Sequence, residues 1–156
     1  MRTPQWIKKL GGHAGELYVC AEFSKRGIPN ALLPENFSDD DVLIGDKTGT
    51  HVGFVQVKAC HPDRSSTFIL RETDEKWQAA SDREFCIFVW LGSPKTDQPP
   101  RYWIALKRVV GDACAAHSAH GTTNWERRFS PKDFPSEWVD RWSLFEHFCP
   151  HTPLVE

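Results

Sequence analysis

A predicted β-hairpin over residues 41–58 constrains the fold of this chain more than any other stretch. Residues 42–44 form a short apolar run, and residues 46–49 have the composition of a turn. Residues 52–59 are rich in the β-branched and aromatic side chains that favour strands. The pattern therefore predicts two antiparallel strands joined by a short connection.

The register of this hairpin would gather polar side chains at one strand end. If Gly45 pairs with Val52, each outward step adds one residue to both strands, and Asp41 falls opposite Gln56. Because side chains alternate between the faces of a strand, Gln56 and Lys58 share a face. The hairpin thus predicts a carboxylate, an amide and an ammonium close together.

Composition is that of a soluble, single-domain protein of 156 residues, with 26% charged and 40% hydrophobic side chains. The net charge of −2 provides no global attraction for nucleic acid, so a polyanion would need a local basic patch or a metal. The five cysteines include no Cys-x-x-Cys pair, which favours a reducing cytoplasm. Neither a signal peptide nor a membrane-spanning apolar run is apparent, so no membrane partner is expected.

The order of the other elements predicts an α/β domain built around a mixed sheet. The predicted elements are a helix at 13–26, an edge strand at 28–34, a strand at 67–70, a helix at 72–82, a buried central strand at 85–91, a strand at 102–106 and a helix at 107–117. The buried face of the first helix is predicted to comprise Leu17, Cys20, Ala21 and Ser24. The domain spans 1–156, with a core at about 13–117 and an aromatic-rich extension at 118–156 that packs on the sheet.

The polar groups near the hairpin suit phosphodiester hydrolysis, which uses a divalent cation to polarise the phosphate and activate water. Mg²⁺ prefers hard oxygen ligands, and Asp41, the amide oxygen of Gln56 and the main-chain carbonyl of Val57 would supply them. Lys58 would neutralise charge on the phosphate or orient the attacking water. Glu16, on the preceding helix, would be a further ligand or support one.

This arrangement resembles the PD-(D/E)xK nuclease superfamily. The resemblance rests on Gly15-Glu16 in a helix, Asp41 followed by the apolar strand Val-Leu-Ile, and Gln56-Val-Lys-Ala on the paired strand. The superfamily usually has Glu or Asp where this chain has Gln56, but the sequence looks similar to small bacterial and intron-encoded nuclease-like proteins with Gln-Val-Lys. A neutral amide binds a hard cation more weakly than a carboxylate does.

The resemblance implies a restriction-endonuclease-like mixed β-sheet of about five strands flanked by helices. It also implies an endonuclease that hydrolyses DNA with Mg²⁺ or Mn²⁺, with Asp41, Gln56, Lys58 and Glu16 as catalytic residues and with Asp41, Gln56, Val57 and Glu16 around the metal. RNA remains open as a substrate, and cleavage of both strands would make a homodimer useful. The alternative function is a catalytically inactive protein of this fold that binds nucleic acid or a regulatory partner.

The sequence offers two alternatives to this metal site. Asp40 is the rival of Asp41 as a ligand, and Asp41 is favoured because it directly precedes the apolar strand and faces Gln56 in the register. A zinc site is disfavoured because the candidate ligands match no common spacing. Those candidates are Cys60, His61, His117, His120, Cys149 and His151.

Basic residues provide the remaining indication of a nucleic-acid partner. They are either a converging patch or solvated surface charge, and the sequence leaves both interpretations open. The residues concerned are Lys8, Lys9, Lys25, Arg26, Arg101, Lys107, Arg108, Arg127 and Arg128, with Trp125 as a candidate for stacking on a base.

Overall fold

A five-stranded mixed sheet lies at the centre of this computed structural model, which describes residues 2–35, 37–71, 74–117 and 126–148. In chain order the elements are α1 (Gln5–Lys25), β1 (Asn30–Leu32), β2 (Val42–Gly45), β3 (Val52–Cys60), β4 (Phe68–Arg71), α2 (Asp74–Gln78), β5 (Glu84–Trp90), β6 (Arg101–Leu106), α3 (Lys107–Ala116) and β7 (Glu126–Phe129), followed by 3₁₀ helices at Pro131–Asp133, Ser136–Trp138 and Trp142–Phe148. The main sheet has the order β1-β2-β3-β5-β6, in which β3 and β5 are parallel and the other neighbours antiparallel. The predicted fold class, an α/β fold with a mixed sheet of about five strands flanked by helices, is confirmed.

The hairpin has the predicted register. Gly45 pairs with Val52, and the ladder extends to the pair of Val42 with Val55. The main-chain N–H of Asp41, the residue before β2, donates to the carbonyl of Val55 at 2.9 Å, so Asp41 and Val42 both lie opposite Val55 where β2 begins. The second half of β3 therefore extends past the beginning of β2.

Strand β5 is the central strand that the apolar run predicted. It lies between β3 and β6, and its side chains enter a separate apolar cluster on each face of the sheet. Phe85, Ile87 and Val89 face α1, whereas Cys86 and Phe88 face α3. Burial on both faces explains why this strand shows no alternation of polar and apolar residues.

Helix α1 differs from its prediction in both length and orientation. It begins at Gln5 rather than at residue 13, because the low helix propensity of Gly11 and Gly12 conceals its first turns in the sequence. Its end is as predicted, since Gly27 adopts the left-handed conformation (φ 72°) that commonly follows a helix.

The predicted buried face of α1 is wrong at every residue except Cys20. The buried residues are Gly15, Val19 and Phe23, whereas Leu17 is 48% exposed. The cause is the close approach of α1 to β3: a Cβ atom at Gly15 would lie 2.7 Å from the Cβ of Ala59. Gly15 therefore faces the sheet together with Val19 and Phe23. Of the predicted face, which comprised Leu17, Cys20, Ala21 and Ser24, only Cys20 is half-buried and packs against the cluster on this side of the sheet, and the other three residues are exposed.

Aromatic side chains of the C-terminal segment pack on the sheet, as predicted, and they do so on both of its faces. Phe145 and Phe148 belong to the cluster on the α1 face, and Phe134 and Trp138 belong to the cluster on the α3 face. The strand predicted at 67–70 occurs as β4, but it pairs with β7 in a separate two-stranded sheet. Trp125 lies outside the described residues.

No helix in the described part of the chain is both long and apolar enough to cross a membrane.

Candidate active site at the open flank of β3

In the part of the chain that the structure describes, the second half of β3 has a neighbouring strand on one side only. Beyond Val55 it pairs with β5, while the side toward β2 has no ladder because β2 begins at Val42. We call this side, along residues 56–60, the open flank. The N–H and C=O of one residue point to the same side of a strand, and the N–H of Val57 donates to Asp41 across this flank. The carbonyl of Val57 therefore faces the open flank too.

Asp41 is held at the flank by two hydrogen bonds to the same oxygen. Its Oδ2 accepts from the side-chain Nε2 of Gln56 and from the main-chain N–H of Val57, each at 2.8 Å. Burial raises the pKa of Asp41, while the N–H of Val57 and the charge of Lys58 act in the opposite direction. Asp41 is thus a positioned, poorly hydrated carboxylate of the kind that a cation can stabilise.

The neighbouring acids are bound to other groups. Asp40 receives a hydrogen bond at 2.8 Å from the ammonium of Lys107, and Asp39 forms an ion pair with Lys76. Among the described hydrogen bonds of these three consecutive carboxylates, only those of Asp41 reach β3. The hydrogen bonds therefore distinguish Asp41, which binds to β3, from Asp40, the alternative ligand, which binds to Lys107.

Helix α1 brings Glu16 to the same cleft. The cleft has a volume of about 620 Å³, and Glu16, Asp40, Asp41 and His13 are among its lining residues. Burial raises the pKa of Glu16, and the charge of Asp41 raises it further. His13, whose Nδ1 lies 3.8 Å from Glu16, opposes this rise. Two carboxylates from different elements therefore share one partly desolvated cleft.

Lys58 and Gln56 play different parts in the structure. Within the described residues, the ammonium of Lys58 has neither a hydrogen bond nor an ion-pair partner, yet its charge lowers the pKa of Asp41 and of Asp39. Gln56 is buried and directs its NH₂ group to Asp41, with a second contact of 3.5 Å to the carbonyl of Val57. In this orientation Gln56 is a hydrogen-bond donor to Asp41 rather than an oxygen ligand.

The donor atoms at the flank suit a hard cation. Carboxylates from Glu16 and Asp41, with the carbonyl of Val57, are the oxygen donors that Mg²⁺ and Mn²⁺ accept. Rotating the amide of Gln56 by half a turn would present a further oxygen. No group of three or more His, Cys, Asp or Glu side chains in the described chain is arranged to hold a metal, so such an ion would depend on Val57, Gln56 and water for its remaining ligands.

The zinc alternative gains no support from the described residues. His117 stacks on Phe129 with ring centroids 4.5 Å apart. His120, Cys149 and His151 lie outside the described residues. The four described cysteines, Cys20, Cys60, Cys86 and Cys114, form no disulfide.

Lys107 is the site-related residue whose role the sequence did not indicate. It was predicted as surface charge or part of a basic patch, but it is buried beside Asp40, with its ammonium 5.2 Å from the ring centre of Trp77. Its partner is distant in the sequence, so no local pattern reveals the pair. The one indication in the sequence was that Lys107 lies at the junction of a predicted strand and a predicted helix.

Comparison with known proteins supports the fold. No protein-family model matches the sequence, and no curated protein matches it significantly. Among solved structures, the chain is similar to a bacterial homing endonuclease, I-Ssp6803I, with a TM-score of 0.51 and 13% sequence identity over 89% of this chain and 92% of that chain. At this identity the similarity concerns the fold alone, which is nuclease-like.

Proposed function

We propose that this protein is a metal-dependent endonuclease of the PD-(D/E)xK type that hydrolyses phosphodiester bonds in DNA. The observation that supports this most is that Glu16 and Asp41 line one cleft at the open flank, close to the ammonium of Lys58, which has no partner among the described residues. The similarity of the fold to that of a homing endonuclease supports the same proposal.

Each residue of the site has a distinct role in the proposed reaction. Glu16, Asp41 and the carbonyl of Val57 would hold Mg²⁺ or Mn²⁺, and Gln56 would fix the orientation of Asp41 or supply an oxygen after its amide turns. When bound, the cation supplies charge that polarises the phosphate and lowers the pKa of a water molecule. The raised pKa values of Glu16 and Asp41 mean that the site binds protons more readily than isolated carboxylates do, so acid should compete with the metal.

Lys58 would act on the phosphate itself. Because its ammonium has no ion-pair partner among the described residues, no ion pair has to break before it binds a non-bridging phosphoryl oxygen. There it would stabilise the negative charge that develops during attack. The charge of Lys58 already influences Asp41, so both groups act within one electrostatic environment.

Cleavage of supercoiled plasmid DNA tests this proposal. Wild-type protein with Mg²⁺ or Mn²⁺ should nick or linearise the plasmid, and Asp41→Ala and Lys58→Ala should each reduce the rate by about a hundredfold or more. Asp82→Ala and Lys47→Ala remove exposed charges elsewhere and serve as matched controls. Equal activity in the wild type, Asp41→Ala and Lys58→Ala would reveal a contaminating nuclease and refute the proposal.

The NH₂ group of Gln56, directed at Asp41, favours a second candidate function. The hydrogen bond from this amide stabilises the carboxylate of Asp41 without a cation. Such a site suits a protein of the same fold that binds nucleic acid or a regulatory partner and does not cleave DNA. For this second function we expect the affinity for duplex DNA to be the same with EDTA and with Mg²⁺, and we expect no cleavage. Binding that strengthens with Mg²⁺ only when Asp41 is present would favour the nuclease.

A further inference from the structure

A second cleft lies at the far end of the open flank. It has a volume of about 440 Å³ and is lined by residues of α1, of the end of β3 and of the loop that follows β3, and by Thr3, Ile69 and Leu91. The lining residues include Lys8, Gly12, Ala59, His61 and Arg64.

The second cleft lies next to the cleft of Glu16 and Asp41. Gly12 lines both clefts, which places them side by side along the first half of α1. A Cβ atom at Gly12 would have no neighbour within 4 Å, which shows that the junction is open on the helix side. We call the two neighbouring clefts the α1 groove.

The two ends of the α1 groove differ in charge. Its first cleft contains the carboxylates of the candidate active site, whereas the described lining of the second cleft contains Lys8 and Arg64 but no acid. The nearby carboxylate of Asp63 accepts hydrogen bonds at 3.1 and 3.2 Å from the hydroxyl of Ser93 and does not line the second cleft. The positive charges at this end therefore remain available to an anion.

Three side chains that line the basic end carry hydrogen-bond donors for phosphate oxygens. The guanidinium of Arg64 lies beside α1, where one N–H contacts the carbonyl of Ile7 at 3.5 Å. Lys8 has no side-chain partner within the described residues. The Nδ1 atom of His61 accepts from the N–H of Asp63 at 3.2 Å, so a neutral ring carries its proton on Nε2, as a further donor.

We propose that the second cleft is a phosphate subsite for DNA, in which Lys8, His61 and Arg64 bind a backbone phosphate of the strand that is cut at Asp41. This inference rests on the proposed function. The main chain from Val57 to His61 spans about 13 Å, which corresponds to a few nucleotides of duplex rise. A phosphate in this subsite would fix the position of the scissile phosphate along the flank.

DNA binding at several salt concentrations tests the subsite. We would measure the fluorescence anisotropy of a labelled duplex of about 20 base pairs without divalent metal, so that no cleavage occurs. Lys8→Ala and Arg64→Ala should each weaken binding several-fold and reduce the slope of log K against log salt concentration by about 1. Lys47→Ala, which removes an exposed charge from the hairpin turn, should leave the slope unchanged.

A steric test is independent of charge. Gly12→Leu places a side chain in the open junction and replaces a poor helix former, so it should weaken duplex binding while leaving the thermal midpoint equal or higher. Ala21→Leu adds a similar side chain at an exposed position of the same helix, outside both clefts, and should leave binding unchanged.

The outcomes separate this inference from the proposed function. Binding that depends on Lys8 and Arg64 without any cleavage would support the subsite and refute the nuclease. Cleavage dependent on Asp41 with unchanged affinity and salt slope in Lys8→Ala and Arg64→Ala would refute the subsite and retain the nuclease. A wild-type protein that binds no duplex would overturn the subsite.

Discussion

The buried ion pair between Lys107 and Asp40 provides a sharp test of how the candidate site is held. The two charged atoms lie 2.8 Å apart, and their side chains are only 5% and 10% exposed. Lys107→Met keeps a side chain of similar length but leaves the carboxylate of Asp40 buried without its cation. Removing one partner of a buried pair costs about 3–5 kcal/mol. In a domain of this size that loss lowers the thermal midpoint by about 6–20 °C.

Urea and thermal unfolding would measure this loss, with the next residue as a control. Arg108→Met breaks an exposed ion pair with Asp82, whose side chains are 42% and 76% exposed, and should cost about 1 kcal/mol or less. The double variant Lys107→Met/Asp40→Asn removes the unpaired charge and should recover part of the stability. A loss for Lys107→Met no larger than that for Arg108→Met would refute this account of the pair.

Three further perturbations have distinct expected results. Gln56→Glu supplies a carboxylate in place of an amide, so Mg²⁺ should bind about tenfold or more tightly in a calorimetric titration, and unchanged affinity would place residue 56 outside the metal site. Gly15→Ala should lower the free energy of unfolding and the cleavage rate together, because its Cβ would lie 2.7 Å from that of Ala59; a more stable variant would contradict the packing of α1. His51 lowers the pKa of Asp46 to about 2, so the ionised carboxylate stabilises the fold above about pH 4, and this contribution disappears as the pH falls toward 2. The difference in unfolding free energy between wild type and Asp46→Asn should therefore shrink over that interval, and a constant difference would contradict the contact.

Local sequence patterns predicted the hairpin and the central strand. The residues that pair in the hairpin are close in sequence, and the central strand is apolar along its whole length. Turn chemistry set the pairing of Gly45 with Val52, and this placed Asp41 beside Gln56. The continuous apolar run of β5 indicated burial on both faces. These elements needed no knowledge of distant contacts.

Contacts between distant residues account for the errors. The face of α1 that is buried depends on Ala59 meeting Gly15, and glycine contributes no hydrophobicity to a helical pattern. The partner of Lys107 is Asp40, on a loop far from it in the sequence, so a charge that looks solvated is buried. The same limit applies to the α1 groove, because Lys8 and His61 come together only when α1 packs over β3.

The central claim is that Asp41 binds a divalent cation at the open flank of β3. Calorimetric titration of the full chain with Mg²⁺ and with Mn²⁺ tests it most directly, comparing wild type with Asp41→Asn and with Asp82→Asn as the exposed control. We expect wild type and Asp82→Asn to bind with a dissociation constant on the order of 1 mM or tighter and Asp41→Asn to bind at least about tenfold more weakly. Equal binding in all three proteins, or none in the wild type, would contradict the claim.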